Sequence, residues 1–113
     1  MASPYFSVVI DNFNYGRYLA QAIESVLSQD FPAGEVEIIV VDDGSTDDSR
    51  EVAARYKSVR LIAQKNSGAC AARNRGLADC AGEFVAFLDC DDLWEPRKLS
   101  RCVLALQERP AAV

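Results

Sequence analysis

The sequence predicts an α/β domain built on a mostly parallel sheet of about four strands flanked by helices. Three observations carry that prediction. Short, near-continuous apolar runs alternate with longer segments of helical period. The turns after the apolar runs collect polar and acidic residues. Half of the 113 residues are apolar, enough for one packed core and too many for a disordered chain.

The first strand is expected over Phe6–Ile10, and its apolarity without alternation suits a strand covered on both faces. Leu19, Ala22, Ile23, Val26 and Leu27 then recur at helical spacing as one stripe. The segment Asp30-Phe31-Pro32-Ala33-Gly34 breaks that helix before a second strand at Val36–Val41. Ser45 or Thr46 is expected to cap a second helix, with Asp47 and Asp48 in its first turn and Val52, Ala53 and Tyr56 on its apolar side. Val59–Ala63 reads as a third strand. Gly68 to Ala81, small and alanine-rich, suits a helix lying close to the sheet or to a ligand. Phe84–Leu88 reads as the fourth strand. Pro96 is expected in the first turn of a last helix that buries Leu99, Cys102, Val103 and Leu106. Strand and helix in repeated alternation form a βαβ progression. A four-stranded sheet with an unprotected edge, followed by one helix, implies a domain that continues past Val113.

Charge and cysteine usage exclude several functions. Seventeen acidic residues against 12 basic ones give a net charge of −5, with no basic run, so a nucleic-acid partner is not expected. The four cysteines form no C-x-x-C pair and histidine is absent, which argues against a structural zinc site. Reduced thiols are expected, and with them a cytoplasmic location, at the cytoplasmic face of a membrane in a full-length protein. No run approaches the ~20 apolar residues needed to span a bilayer.

In open α/β sheets ligands bind beyond the carboxyl ends of the strands. The polar residues collect there: Asp11, Asn12 and Asn14 after the first strand, Asp42 to Ser45 after the second, Lys65 to Ser67 after the third, and Asp89, Asp91 and Asp92 after the fourth. Clustered carboxylates repel, and a shared cation is a common reason to tolerate that. Asp89-Cys90-Asp91-Asp92 offers oxygen ligands suited to Mg²⁺ or Mn²⁺ beside phosphate oxygens. The alternative is a solvated turn in which Asp91 or Asp92 helps cap the next helix. Asp42 or Asp43 could accept a hydrogen bond from a base edge or a ribose hydroxyl while Gly44 permits a tight turn, or both could be ordinary turn residues. Phe13 and Tyr15 offer aromatic faces to a planar base, although Phe13 could instead pack on the first helix. Arg73 and Arg75 could meet phosphate, with Arg75 better suited to solvent or an acidic neighbour. Trp94 reads as a packing anchor.

Five stretches, in order, resemble the N-terminal half of family-2 glycosyltransferases of the GT-A fold. They are Ser7-Val8-Val9-Ile10 with Asn14 beyond it, Tyr18 to Gln29, Ile39 to Asp47, Asn66-Ser67-Gly68 with Ala72 to Gly76, and Gly82 to Asp92. The resemblance implies a Rossmann-like nucleotide-binding half, a UDP-sugar donor, a saccharide, lipid or protein acceptor, and inversion at the anomeric carbon. By matching positions it implies that Asp11, Phe13 and Asp43, with Asp42, surround the nucleoside. It places Asp89 near the ribose, Arg73 toward phosphate, and Asp91 on a divalent metal, Mg²⁺ or Mn²⁺. Many members carry Pro-Thr where this chain has Asp11-Asn12, an added carboxylate that bears on base preference. The family's general base lies beyond the metal motif, hence beyond Val113. A nucleotidyltransferase-like domain would want a glycine-rich basic loop after the first strand, and a dinucleotide-binding oxidoreductase G-x-G-x-x-G; neither is present. The remaining alternative is a non-catalytic module that binds nucleotide or a partner chain.

Overall fold

In the computed structural model, which describes residues 4–108, the four apolar runs pair as one fully parallel sheet in the order β3-β2-β1-β4. The strands are β1 (Phe6–Asn12), β2 (Val36–Asp43), β3 (Val59–Gln64) and β4 (Phe84–Asp89). Each extends one or two residues beyond its apolar run, so the acidic residues expected in turns are the last residues of strands. The helices are α1 (Gly16–Leu27), α2 (Ser49–Ala54), α3 (Ala69–Asp79) and α4 (Lys98–Glu108), with a 3-10 turn at Ala33–Glu35.

Parallel strands need crossover helices, and right-handed crossovers decide which face each helix covers. The steps β1 to β2 to β3 run one way, so α1 and α2 share a face and pack on each other. The step from β3 back past β1 to β4 runs the other way, which puts α3 on the opposite face. Two cores result. One holds Val8, Ile10, Ile38 and Val40 against Leu19, Ile23 and Val52. The other holds Val9, Ile39, Val41 and Ile62 against Ala72. Helix α3 can lie so close because Gly76 faces Val9: a Cβ there would sit 2.4 Å from Val9 Cγ1. The reversal of direction falls between β1 and β4, where ligand crevices form in open sheets.

Two local expectations are corrected. Helix α2 starts at Ser49, with Asp48 at its N-cap, rather than from Ser45 or Thr46, because Ser45 is held by Asp42 instead. Pro96 lies in a turn ahead of α4, where its carbonyl accepts the Asp30 N–H at 2.7 Å. Gln29 was missed as a structural residue. Its buried amide donates to the Ser25 and Glu95 carbonyls and accepts from Leu99 N–H, tying the end of α1 to the start of α4. Trp94 packs against the α1–α2 core, as a packing anchor should. All four cysteines are free thiols, and among the described residues no helix is long and apolar enough to cross a membrane.

Candidate functional site

Side chains alternate across a strand, so consecutive residues at a strand tip serve opposite faces. On the α3 face, Asp11 ends the row of Val9, Asp43 the row of Ile39 and Val41, and Asp89 the row of Val85 and Phe87. Asp11 and Asp89 are register partners on β1 and β4, and Asp43 stands on β2, the strand on the other side of β1. Three carboxylates from three strands thus share one rim. A cleft of about 220 Å³ opens beside them, lined by Asp11, Phe13, Asp43, Asn66, Gly68 and Ala72. Phe13 is 45% exposed and does not pack away onto α1. Tyr15 is exposed too, and sits against Tyr18 instead of the cleft.

Asp43 is buried, and its carboxylate is filled by the end of β3 and the loop after it. Gln64 Nε2 donates at 2.9 Å and Ser67 N at 2.8 Å to one oxygen; Asn66 Nδ2 at 3.2 Å and Gly68 N at 2.9 Å donate to the other. Burial pushes its pKa up, but the hydrogen bonds from Gln64, Ser67 and Gly68 outweigh burial and hold it below the ordinary carboxylate value. Asp43 therefore fixes one wall of the cleft. Gly44 turns the chain with φ of 78°, and a Cβ there would meet Asn66 N at 2.7 Å.

Arg73 rises from α3 between the other two carboxylates. Its Nη2 is 3.0 Å from Asp89 Oδ1 and its Nε is 3.6 Å from Asp11 Oδ1. Asp11 Oδ1 and Arg73 Nε are both buried and both lack a hydrogen-bond partner. Burial raises the Asp11 pKa; Arg73 opposes that rise, and the nearby Asp89 charge adds to it. Arg75 turns elsewhere and pairs with Asp79 at 2.9 Å, one helical turn on.

Asp42 is not brought to this cleft. It is 1% exposed on the α1–α2 side, accepting from Asn12 Nδ2 at 3.1 Å and from the Ser45 N–H and hydroxyl, with Arg50 Nε at 3.9 Å. The same region holds a network that sequence reasoning overlooked. Asn14, at φ of 57°, accepts from Thr46 N and Asp47 N, while Asp47 accepts from Gly16 N and Ser49 N. Asp47 thereby serves the first turns of both α1 and α2. The repeated Asn and Asp residues of these two loops were a visible signal; their pairing across about thirty residues of chain was not.

Beyond β4 the Asp92 N–H closes a turn on the Asp89 carbonyl at 2.9 Å. Carboxylate oxygens of Asp89, Asp91 and Asp92 lie within 4.8 Å of one another, all exposed. Cys90 points the other way, into the α1–α2 core, and burial, reinforced by the Asp11 and Asp91 charges, pushes its thiol up to about 12. The donors left facing solvent are hard oxygens, a set that suits Mg²⁺ or Mn²⁺. A larger depression of about 500 Å³ runs along α4 past Trp94 and Cys102. It holds none of the strand-tip residues.

The sequence pattern of the family described as Glycosyl transferase family 2 matches residues 7–113. A glycosyltransferase of Nostoc sp. is 48% identical over 106 residues, covering 89% of this chain and 32% of the relative. Staphylococcus aureus TarS, for which crystal structures with UDP and with UDP-GlcNAc exist, superposes with a TM-score of 0.88 at 32% identity, covering 94% of this chain and about a third of TarS. The mannosyltransferase PcManGT of Pyrobaculum calidifontis, solved with GDP-Man and Mn²⁺, gives a TM-score of 0.85 at 26% identity, covering 94% of this chain and 33% of that one. The chain thus spans about a third of the length of these relatives.

Proposed function

The chain belongs to glycosyl transferase family 2, and from that premise we propose that it is the donor-binding, N-terminal part of a single GT-A domain that transfers sugar from a nucleoside diphosphate sugar. The donor is a UDP-sugar, the acceptor a saccharide, lipid or protein, and the anomeric configuration inverts. The acceptor's general base is contributed from beyond Val113. Four free thiols support a cytoplasmic location.

The observation that carries this reading is the row of Asp11, Asp43 and Asp89 along one rim, with exposed Phe13 at the cleft mouth and the Asp91–Asp92 turn beside it. Phe13 offers its face to the base. Asp43 stands beside the nucleoside behind the wall it builds from Asn66 to Gly68, and Asp11 faces it from the next strand. Asp89 accepts from a ribose hydroxyl. Asp91, with Asp89 and Asp92 in reach, holds the divalent ion, and Arg73 supplies positive charge on the same side. When bound, that ion neutralises charge developing on the nucleoside diphosphate leaving group. Asp42 acts from behind, by fixing the loops that present Phe13 and Asp43.

The test is a thermal-shift titration. UDP together with Mn²⁺ is expected to raise the midpoint more than either alone, because binding to the folded state stabilises it by mass action. Asp91→Ala should abolish the synergy. Equal shifts in wild type and Asp91→Ala would remove the proposed metal role, and no shift with any nucleotide would remove the donor site.

A further inference from the structure

A cation already stands on the rim beside the cleft. Arg73 is the guanidinium seated between Asp11 and Asp89, and its two contacts differ in kind. The contact to Asp89, at 3.0 Å, is a hydrogen-bonded ion pair on a carboxylate that is 55% exposed. The contact to Asp11, at 3.6 Å, is longer than a hydrogen bond, on a carboxylate that is 15% exposed. Nε and Oδ1 face each other there, buried and otherwise unpartnered. An ion pair at an exposed carboxylate is easily replaced, since water and salt screen it. Asp11 is the more sheltered of the two carboxylates, so losing its counter-charge costs more there than at Asp89, and the inner contact is the harder to break.

We propose that Arg73 is a positioning residue that occupies Asp89 as a resident counter-cation beside the cleft and releases it to the incoming ligand, while Asp11 keeps the guanidinium in place. This rests on the reading of Asp91 and its neighbours as the metal turn. It adds something that reading lacks: the cleft discriminates against a bare ion. With Arg73 held against Asp89, whose carboxylate lies within 4.8 Å of those of Asp91 and Asp92, a divalent cation meets a positive charge already in residence. The diphosphate of a nucleotide compensates both cations together. Asp11, the residue that stands where many members have proline, is what retains the arginine. Without it the side chain is free to settle wholly on Asp89.

Substitutions at the two positions should therefore act in opposite directions on the binding of Mn²⁺ alone, read by electron paramagnetic resonance without nucleotide. Arg73→Gln is expected to tighten Mn²⁺ roughly tenfold by removing a nearby like charge. Asp11→Asn is expected to weaken it. In the Arg73→Gln background the effect of Asp11→Asn should shrink, leaving only the direct loss of one negative charge, so a double-mutant cycle yields a coupling. Arg73→Lys keeps the charge but lacks the fork needed for two partners, and should fall between wild type and Arg73→Gln. Circular dichroism confirms that each variant is folded. Unchanged or weaker Mn²⁺ binding in Arg73→Gln, or strictly additive effects, overturns the role of Arg73 while leaving the metal turn intact. Mn²⁺ binding indifferent to Asp91→Ala overturns the metal reading itself, and this role with it.

Discussion

Asp42 and Asp43 are consecutive residues at the end of one strand, and they belong to regions of opposite character. On the α1–α2 side, Asp42 sits in a closed set of hydrogen bonds with Asn12 and Ser45, continued through Asn14 and Asp47 to the first turns of two helices. On the α3 side, Asp11 and Asp43 line a cleft with Asp89 beside Asp11 on the same rim, and buried polar atoms of Asp11 and Arg73 remain without hydrogen bonds. Even the closed side leaves one acceptor, Asn12 Oδ1, unpartnered. The two faces of a sheet tip can therefore divide labour. One face commits Asp42 wholly to loop geometry; the other commits Asp43 to a loop but leaves the Asp89 carboxylate exposed and Asp11 short of hydrogen bonds.

The sharpest way to break this division is Asp42→Ala. It strips a fully buried acceptor from Asn12 and Ser45, and should cost about 3 kcal/mol of stability. Nucleotide affinity of the folded protein should fall less than stability does, because Asp42 reaches the cleft only through the loops it fixes. The reverse pattern, weakened UDP binding at normal stability in denaturant titration, would show that Asp42 belongs to the ligand after all.

Acid tests the closed side more gently. Burial acts to raise the Asp47 pKa, but hydrogen bonds from Ser49 and Gly16 prevail and hold it below its ordinary 3.8. A folded-state pKa lowered in this way contributes stability that is present above the unfolded value and is lost as pH falls through the folded one. Asp47→Asn should thus lower the melting temperature at neutral pH by about 4 °C and flatten its decline below pH ~4. An acid limb as steep as that of wild type would move the titration to other carboxylates.

Phe13→Ala should have the smallest effect on stability, within about 0.5 kcal/mol, because the ring is exposed. Its consequence belongs to the open side. UDP affinity measured calorimetrically should fall roughly tenfold if the ring stacks on the base. Unaltered affinity would leave Phe13 without a role at the cleft mouth.

Much of this was legible in the sequence. The four strands, their parallel pairing and the acidic rim follow from apolar runs ending in Asp11, Asp43 and Asp89, because period and burial are local properties. The face on which each tip residue falls was not legible for Asp42 and Asp43. Alternation gives opposite faces but does not say which face α3 will cover; that depends on the direction of a crossover decided forty residues later. Helix α2 was misplaced for a related reason. Ser45 has the chemistry of a cap, yet a buried carboxylate three residues back outcompetes the helix for it. The Arg73 pairing needs both the register of β1 with β4 and the close approach that Gly76 allows to α3, and neither leaves a mark in spacing.

The alternation at Asp89-Cys90-Asp91 bears on how the proposed metal turn is held. Because the middle residue is anchored among Leu19, Ile10 and Leu88 in the hydrophobic interior, the oxygens on either side are mounted on a rigid base rather than on a floppy loop. An ion bound at the proposed metal turn would lose little affinity to ordering such a clamp. A thiol that points away from the proposed ion would thereby set how firmly the turn is held.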